Sequence, residues 1–403
     1  MGDEDVVPVV SQGPPPPDWP VDAEAALTRE PAPDPPGMNG RDPDALLSRE
    51  LFWRDHQPWL KESGYLLRPR YRPGWIPSWK GKDEAAITDG EDSYVCMFGQ
   101  VMDATRLSDG EMVLLKRLKR SVHPYEIEIT RMFSEEPLRS HPKNHCVPVF
   151  EVLDSPHNAD VSILVLPLLR EFENPSFETV GEVIEFFRQI FEGLQFMHQC
   201  HVAHRDCMFL NIMLDPRPMF PKMYHPASTQ RARDLKGLAK HYSRTYKPTK
   251  YYLIDFGISR KYDASDESPL EAPIFGGDKS APEFKPPFTP CNPFPTDVYY
   301  IGNVIRTRFL QKSQVYYQFM EPLISSMVQD DPKKRPTMDE VVDQFDKLCS
   351  MLPSSFLRTR FPSEGMHGPM LSLYTFILNT TYRLMGRKAL PRPPKQPIHS
   401  FTF

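Results

Sequence analysis

The sequence lacks the features that would staple or anchor a secreted or membrane-spanning chain. Its six cysteines (Cys96, Cys146, Cys200, Cys207, Cys291, Cys349) are scattered, with no C-x-x-C pair. That spacing argues against a zinc site and against a disulfide framework, and it suits a reducing compartment. No basic start followed by an apolar run opens the chain, so no secretory signal is expected. The most apolar stretch, Met370 to Met385, is broken by Asn379, Thr380, Thr381 and Arg383, and it is shorter than the roughly 20 residues of a membrane span. A formal net charge of −5 is too small to mark a nucleic-acid binder.

What is present is an ordinary core-forming composition, 40% hydrophobic and 25% charged over 403 residues. That length allows one large domain or two smaller ones. Residues 1–45 carry the run Pro14 to Pro17 and then Pro31, Pro33, Pro35 and Pro36. Such a tail cannot bury enough apolar surface to order itself. Order is expected from about Leu46. There Leu51-Phe52-Trp53 with Trp59-Leu60 suggests a short helix, and Trp75 to Trp79 an aromatic stretch lying on a domain surface.

From Tyr94 the pattern changes to short strands: 94–98, 100–105 and 112–118, the last two separated by Ser108-Asp109-Gly110. Asp-Gly between two such runs is a hairpin signal. A helix over 125–133 and strands over 147–153 and 161–169 would complete a strand-rich lobe. The second half reads as helical. In 179–198, Val180, Val183, Ile184, Phe187, Ile190, Phe191, Leu194 and Met197 recur with a 3.6 period. Short strands over 212–214 and 251–254 follow, then helices near 297–308, 317–328 and 338–352.

The chemistry-bearing residues cluster after the long helix. Asp206 and Asn211 lie five apart in one loop, and Asn211 opens a short strand. A second short strand ends at Asp255. Pairing the two strands would bring Asn211 and Asp255 together as metal ligands beside Asp206. Phosphoryl transfer needs this set: a carboxylate near the acceptor hydroxyl, oxygens for magnesium, and a cation on the phosphates.

The segment His204-Arg205-Asp206-Cys207-Met208-Phe209-Leu210-Asn211, followed by Asp255-Phe256-Gly257 and Ala281-Pro282-Glu283, resembles the eukaryotic protein kinase superfamily. The combination HRDC…NIM, YYLIDFGIS and NHCVP is similar to a divergent kinase-like family of mushroom-forming fungi. The resemblance implies an α+β, two-lobed protein-kinase-like fold with a small strand-rich N-lobe and a larger helical C-lobe. It implies a kinase domain over 94–352, with the N-lobe at 94–169 and the C-lobe at 170–352. An N-terminal extension, 46–93, would pack on it, and a C-terminal extension, 353–403, would follow. By the same likeness Asp206 is the catalytic base, Asn211 and Asp255 hold Mg2+, and Lys116 holds the ATP phosphates. Glu126 is the preferred partner of Lys116, with Glu128 as the other candidate. The adenine hinge falls at 165–169, with Leu166 and Leu168 as nucleotide contacts. His204 and Phe256 belong to an internal apolar spine, Arg205 couples to the activation segment, and Arg335 pairs with Glu283.

Three departures stand out. The family's G-x-G-x-x-G aligns with Tyr94, Cys96 and Gly99, so only Gly99 survives to approach phosphate. Met208 stands where serine/threonine kinases carry a phosphate-touching lysine. Asn211 and Asp255 are 44 positions apart, and residues 215–250 between them carry a net +7. That insertion reads either as a docking loop for an acidic partner or as a solvated hairpin extension. Ser265, Ser268 and Ser280 are candidate phosphorylation sites, since a phosphate on one could pair with Arg205. Ser265 and Ser268 sit among Asp263, Asp266, Glu267 and Glu271, whose charge could replace a phosphate. The expected function is ATP-dependent transfer to a protein hydroxyl, serine or threonine, by a cytoplasmic or nuclear monomer that binds neither membrane nor specific nucleic acid. The alternative is a pseudokinase acting as a nucleotide-binding or scaffold module.

Overall fold

The hairpin at Ser108-Asp109-Gly110 forms, with Gly110 at φ +74° supplying the left-handed turn residue. It joins β2 (Val101–Arg106) to β3 (Met112–Lys119). The computed structural model describes residues 44–82, 87, 90–95, 98–266, 268–274, 276–286, 288–312, 314–361 and 369–393. Preceding the hairpin are α1 (Ser48–Glu62) and β1 (Tyr65–Leu66). Following it come α2 (Glu126–Ser134), β4 (Glu151–Asp154) and β5 (Val161–Pro167). The five strands make one antiparallel sheet in the order β1-β2-β3-β5-β4.

The first strand of this sheet is not the one the sequence pattern suggests. No strand forms at Tyr94, Val95 or Phe98, and residues 96–97 lie outside the described residues. Tyr65 and Leu66 take the edge position, pairing with Arg106 and Thr105. Two residues are too short for a periodicity signal, which is why the pattern misses them. The supporting core explains the choice. Trp53, Leu60, Tyr65, Leu67 and Tyr71 are buried together with Met102, Val113, Leu115, Ile163 and Val165 of the sheet. The buried Arg70–Glu50 ion pair (2.9 Å) and the Tyr71 hydroxyl, which donates to the same carboxylate (2.9 Å), tie α1 to the chain that follows β1.

The large lobe is built around α3 (Val180–Gln199), whose N-terminus is capped by the Thr179 hydroxyl accepting from the Glu182 N–H. Phe186, Phe187 and Phe191 of this helix are fully buried, and Phe187 packs edge-on to Phe309. Strands β6 (Arg170–Glu171), β8 (Ile212–Leu214) and β9 (Tyr251–Leu253) form a small sheet in the order β6-β8-β9, and β7 (Val202–Ala203) pairs with β10 (Arg260–Lys261). The remaining helices are α4 (Pro293–Ile305), α5 (Gln314–Tyr317), α6 (Glu321–Met327), α7 (Met338–Ser350), α8 (Ser354–Leu357) and α9 (Pro369–Leu384). Among the described residues no helix is long and apolar enough to cross a membrane.

Residues 215–250 are neither a free hairpin nor a uniformly basic surface. They run along the link between β5 and β6 and reach both lobes. Arg170 lies over the rings of Phe220 (4.6 Å) and Tyr224 (4.3 Å) and donates to the Thr229 carbonyl. The Tyr224 hydroxyl donates to the Leu169 carbonyl, and Arg233 reaches Thr105 of β2. Part of the positive charge is consumed internally. Arg217 pairs with Asp215, and buried Arg244 donates to the Phe172, Pro175 and Ser176 carbonyls.

Trp53 is fully buried at the junction of α1 and the sheet. Trp53→Ala should therefore lower the unfolding free energy by about 3–5 kcal/mol, read from denaturant unfolding. A change below about 1 kcal/mol would mean that α1 does not share the small-lobe core.

Candidate active site

The β8–β9 register sets the site. Ile212 opposes Leu253, and the Ile254 N–H donates to the Asn211 carbonyl (3.0 Å), so Asn211 and Asp255 stand at one end of the paired strands. The Asn211 amide donates to the Asp206 carboxylate (2.9 Å) and to its backbone carbonyl (2.8 Å). That fixes the amide orientation and leaves the Asn211 side-chain oxygen as the group available for a metal.

Lys116 joins the two lobes. On β3 it opposes Leu164 of β5, and its ammonium pairs with Glu126 of α2 and with Asp255 (2.8 Å). Glu128 is exposed and takes no part. Burial would lower the lysine's pKa, but Asp255 and Glu126 outweigh it and hold the group charged. Burial likewise works against ionised Asp255, and Lys116 overrides it, bringing the carboxyl down to about 2. Asp206 behaves in the opposite way. Burial pushes it up to about 7, opposed by the N–H of Gly277 and reinforced by Asp255.

The loop around Asp206 is held in a costly conformation. Arg205 (φ +68°) and Asp255 (φ +64°) are non-glycine residues in the left-handed region. Fully buried Asp297 of α4 compensates by accepting the His204 and Arg205 N–H groups, each at 2.7 Å. His204 stays neutral because burial lowers its pKa, and its ring lies 5.5 Å from that of Phe256. Farther out, Arg335 grips Glu283 with both arms of its guanidinium (2.5 and 2.8 Å).

The donor set fits a phosphate-bound magnesium ion. Asp255 is ionised, the Asn211 side-chain oxygen takes no part in the bonds to Asp206, and among the described residues no three His, Cys, Asp or Glu side chains converge into a closed metal cage. Magnesium is commonly held by one or two protein oxygens, with substrate phosphates and water completing its shell.

The family model of the protein kinase domain matches residues 96–284. This chain carries a protein kinase domain. A comparison with curated proteins finds no match.

Leu168 and Leu169 link β5 to β6, and both Leu166 and Leu168 are buried. Gly99 packs on α1, where its carbonyl accepts from the Trp53 indole (3.1 Å) and an added Cβ would lie 3.2 Å from that of Arg49. A side chain at this position would press on α1.

Met208 has a structural counterpart that sequence reasoning missed. A Cβ on Gly277 would fall 1.9 Å from the Met208 sulfur, and one on Gly276 would fall 2.4 Å from Asp206 Oδ1. The segment carrying Gly276 and Gly277 therefore lies directly on the loop of Asp206 and Met208, and the Gly277 N–H donates to Asp206 (2.9 Å). The visible signal is Gly276-Gly277, placed shortly before Ala281-Pro282-Glu283.

Arg205 is already engaged. It pairs with Glu271 (2.9 Å), which Arg260 also approaches (3.5 Å), and two backbone hydrogen bonds to Cys291 hold Glu271 in register. Arg260 lies over the Tyr125 ring (4.7 Å), adjacent to Glu126. The Ser265 hydroxyl donates to Asp263. The group that Arg205 engages is thus the carboxylate of Glu271. Glu271→Ala should cost roughly 3 kcal/mol of stability, as removing one partner of a buried pair does. Phosphatase treatment of the wild-type protein should leave its melting temperature unchanged. A drop on dephosphorylation would show that phosphate, not Glu271, holds the segment.

Proposed function

We propose that this kinase domain transfers the γ-phosphate of ATP to a protein hydroxyl. The observation that carries the reading is the joint placement of Lys116 between Glu126 and Asp255 with Asp206 bonded to Asn211. Lys116 binds and orients the nucleotide phosphates, and Leu166 and Leu168 flank the adenine hinge. Asn211 and Asp255 hold Mg2+, which when bound neutralises charge on the phosphates. Asp206 accepts the proton of the incoming hydroxyl. A serine or threonine acceptor is favoured because the loop Asp206 to Asn211 also lacks the arginine that tyrosine kinases carry in place of the loop lysine.

Two observations support a second reading, a nucleotide-binding or scaffold module without transfer. Met208 leaves the catalytic loop without its phosphate-touching cation, and Gly99 is turned to α1. A missing charge clamp is typically worth about 3–4 kcal/mol of transition-state stabilisation. The test between them is radiolabel transfer from ATP-magnesium to a generic protein substrate, with Asp206→Asn as control. Transfer by the wild type that the variant loses supports the kinase. Equal signal from the two sinks it, and stabilisation by nucleotide without turnover supports the second reading.

Because Asp206 is raised to about 7, it is protonated and idle as a base below that pH. The ratio kcat/KM should therefore climb about tenfold per pH unit below 7 and level off above it. A flat profile from pH 5.5 to 8 would remove Asp206 from the role of base.

A further inference from the structure

The C-terminal segment that follows α9 builds a cavity of about 560 Å3 against α8. Five cations line it: Arg358, Arg383, Arg387, Lys388 and Arg392. Among the described residues no carboxylate does, and none of the five belongs to the cluster around Lys116 and Asp206.

The backbone of this cavity is fixed, not draped. At the end of α9 the Gly386 and Arg387 N–H groups donate to the Arg383 and Tyr382 carbonyls, with Gly386 at φ +66°. Arg358 donates to the Arg387 carbonyl (2.5 Å), and Asn379 donates to the Arg358 carbonyl (3.0 Å). On the far side, a Cβ on Gly181 of α3 would lie 2.0 Å from the Ala389 carbonyl oxygen, a seat that only glycine permits.

The charge inside this framework is poorly compensated. Glu185 Oε2 lies 3.8 Å from Arg392, and burial pushes Glu185 up to about 7, so it is a weak counter-ion. Arg387 lies over the Tyr246 ring (4.5 Å), and its buried Nε has no hydrogen-bond partner. Lys247 of the 215–250 segment sits over the same ring (5.8 Å) and adds positive charge at the rim. Like charges gathered in a concave site repel one another unless an anion joins them.

We propose that this cavity binds a compact anion bearing two or more phosphate groups. Guanidinium forks match phosphate oxygens bidentately, five cations exceed what one phosphate neutralises, and the volume lies within the roughly 300–1,000 Å3 of small-molecule sites. The proposal stands apart from the kinase reading, because none of its residues serves the catalytic cluster.

The test is calorimetric titration of the full-length protein with inorganic tripolyphosphate and with myo-inositol hexakisphosphate at physiological salt. Wild type should bind one equivalent of at least one probe. Arg383→Gln combined with Lys388→Gln, both exposed positions, should weaken binding tenfold or more without moving the melting temperature. Lys116→Met, which disables the nucleotide cleft, should leave that binding intact. The proposal falls if neither probe binds saturably, if the double variant binds as wild type does, or if Lys116→Met abolishes the signal. Binding of a doubly phosphorylated peptide in place of both compact probes would also overturn it, in favour of a polypeptide partner.

Discussion

The site depends on one cation, the Lys116 ammonium, shared between Glu126 and Asp255. It sits on the sheet of the small lobe, and its partners lie on α2 and at the end of β9. A buried charge is tolerable only when paired, so this contact draws α2 onto the sheet and the sheet onto the strand that carries Asp255. It also separates the two carboxylates chemically. Asp255 is held ionised, while Asp206, beyond the lysine's reach, is raised by its burial. Environments that push two acids apart in this way mark different roles for them.

A chain of contacts joins that pairing to the activation segment. Glu271 engages Arg205 and Arg260, Arg260 lies over Tyr125, and Tyr125 precedes Glu126. The conformation of the segment and the position of α2 therefore rest on neighbouring residues. A carboxylate built into the sequence supplies the charge at the centre of this chain. Gly276 and Gly277 complete the arrangement by letting the segment lie against Asp206 and Met208.

Most of the large lobe was legible in the sequence because its signals are periodic or come in fixed order. The 3.6-residue repeat of 179–198 marks α3, and the two short apolar runs ending at Leu214 and Ile254 mark the strands that bring Asn211 to Asp255. The edge of the small sheet was not legible. Tyr65 and Leu66 form a two-residue strand whose place is decided by packing of Trp53 and Tyr71, a tertiary effect without a local pattern. The contact of Gly99 with α1 was not legible for a related reason: a glycine signals close approach but not what approaches. The 215–250 segment shows charge without context, since its composition does not reveal that Arg217 and Arg244 are spent internally.

The pairing of Lys116 is tested most directly by calorimetric measurement of ATP-magnesium affinity in wild type, Lys116→Met and Glu126→Gln. If the shared ammonium assembles the nucleotide cleft, wild type binds and both variants lose affinity, Lys116→Met by tenfold or more. Affinity unchanged in Lys116→Met would contradict the account, since the cleft would then form without the cation on which it is said to depend.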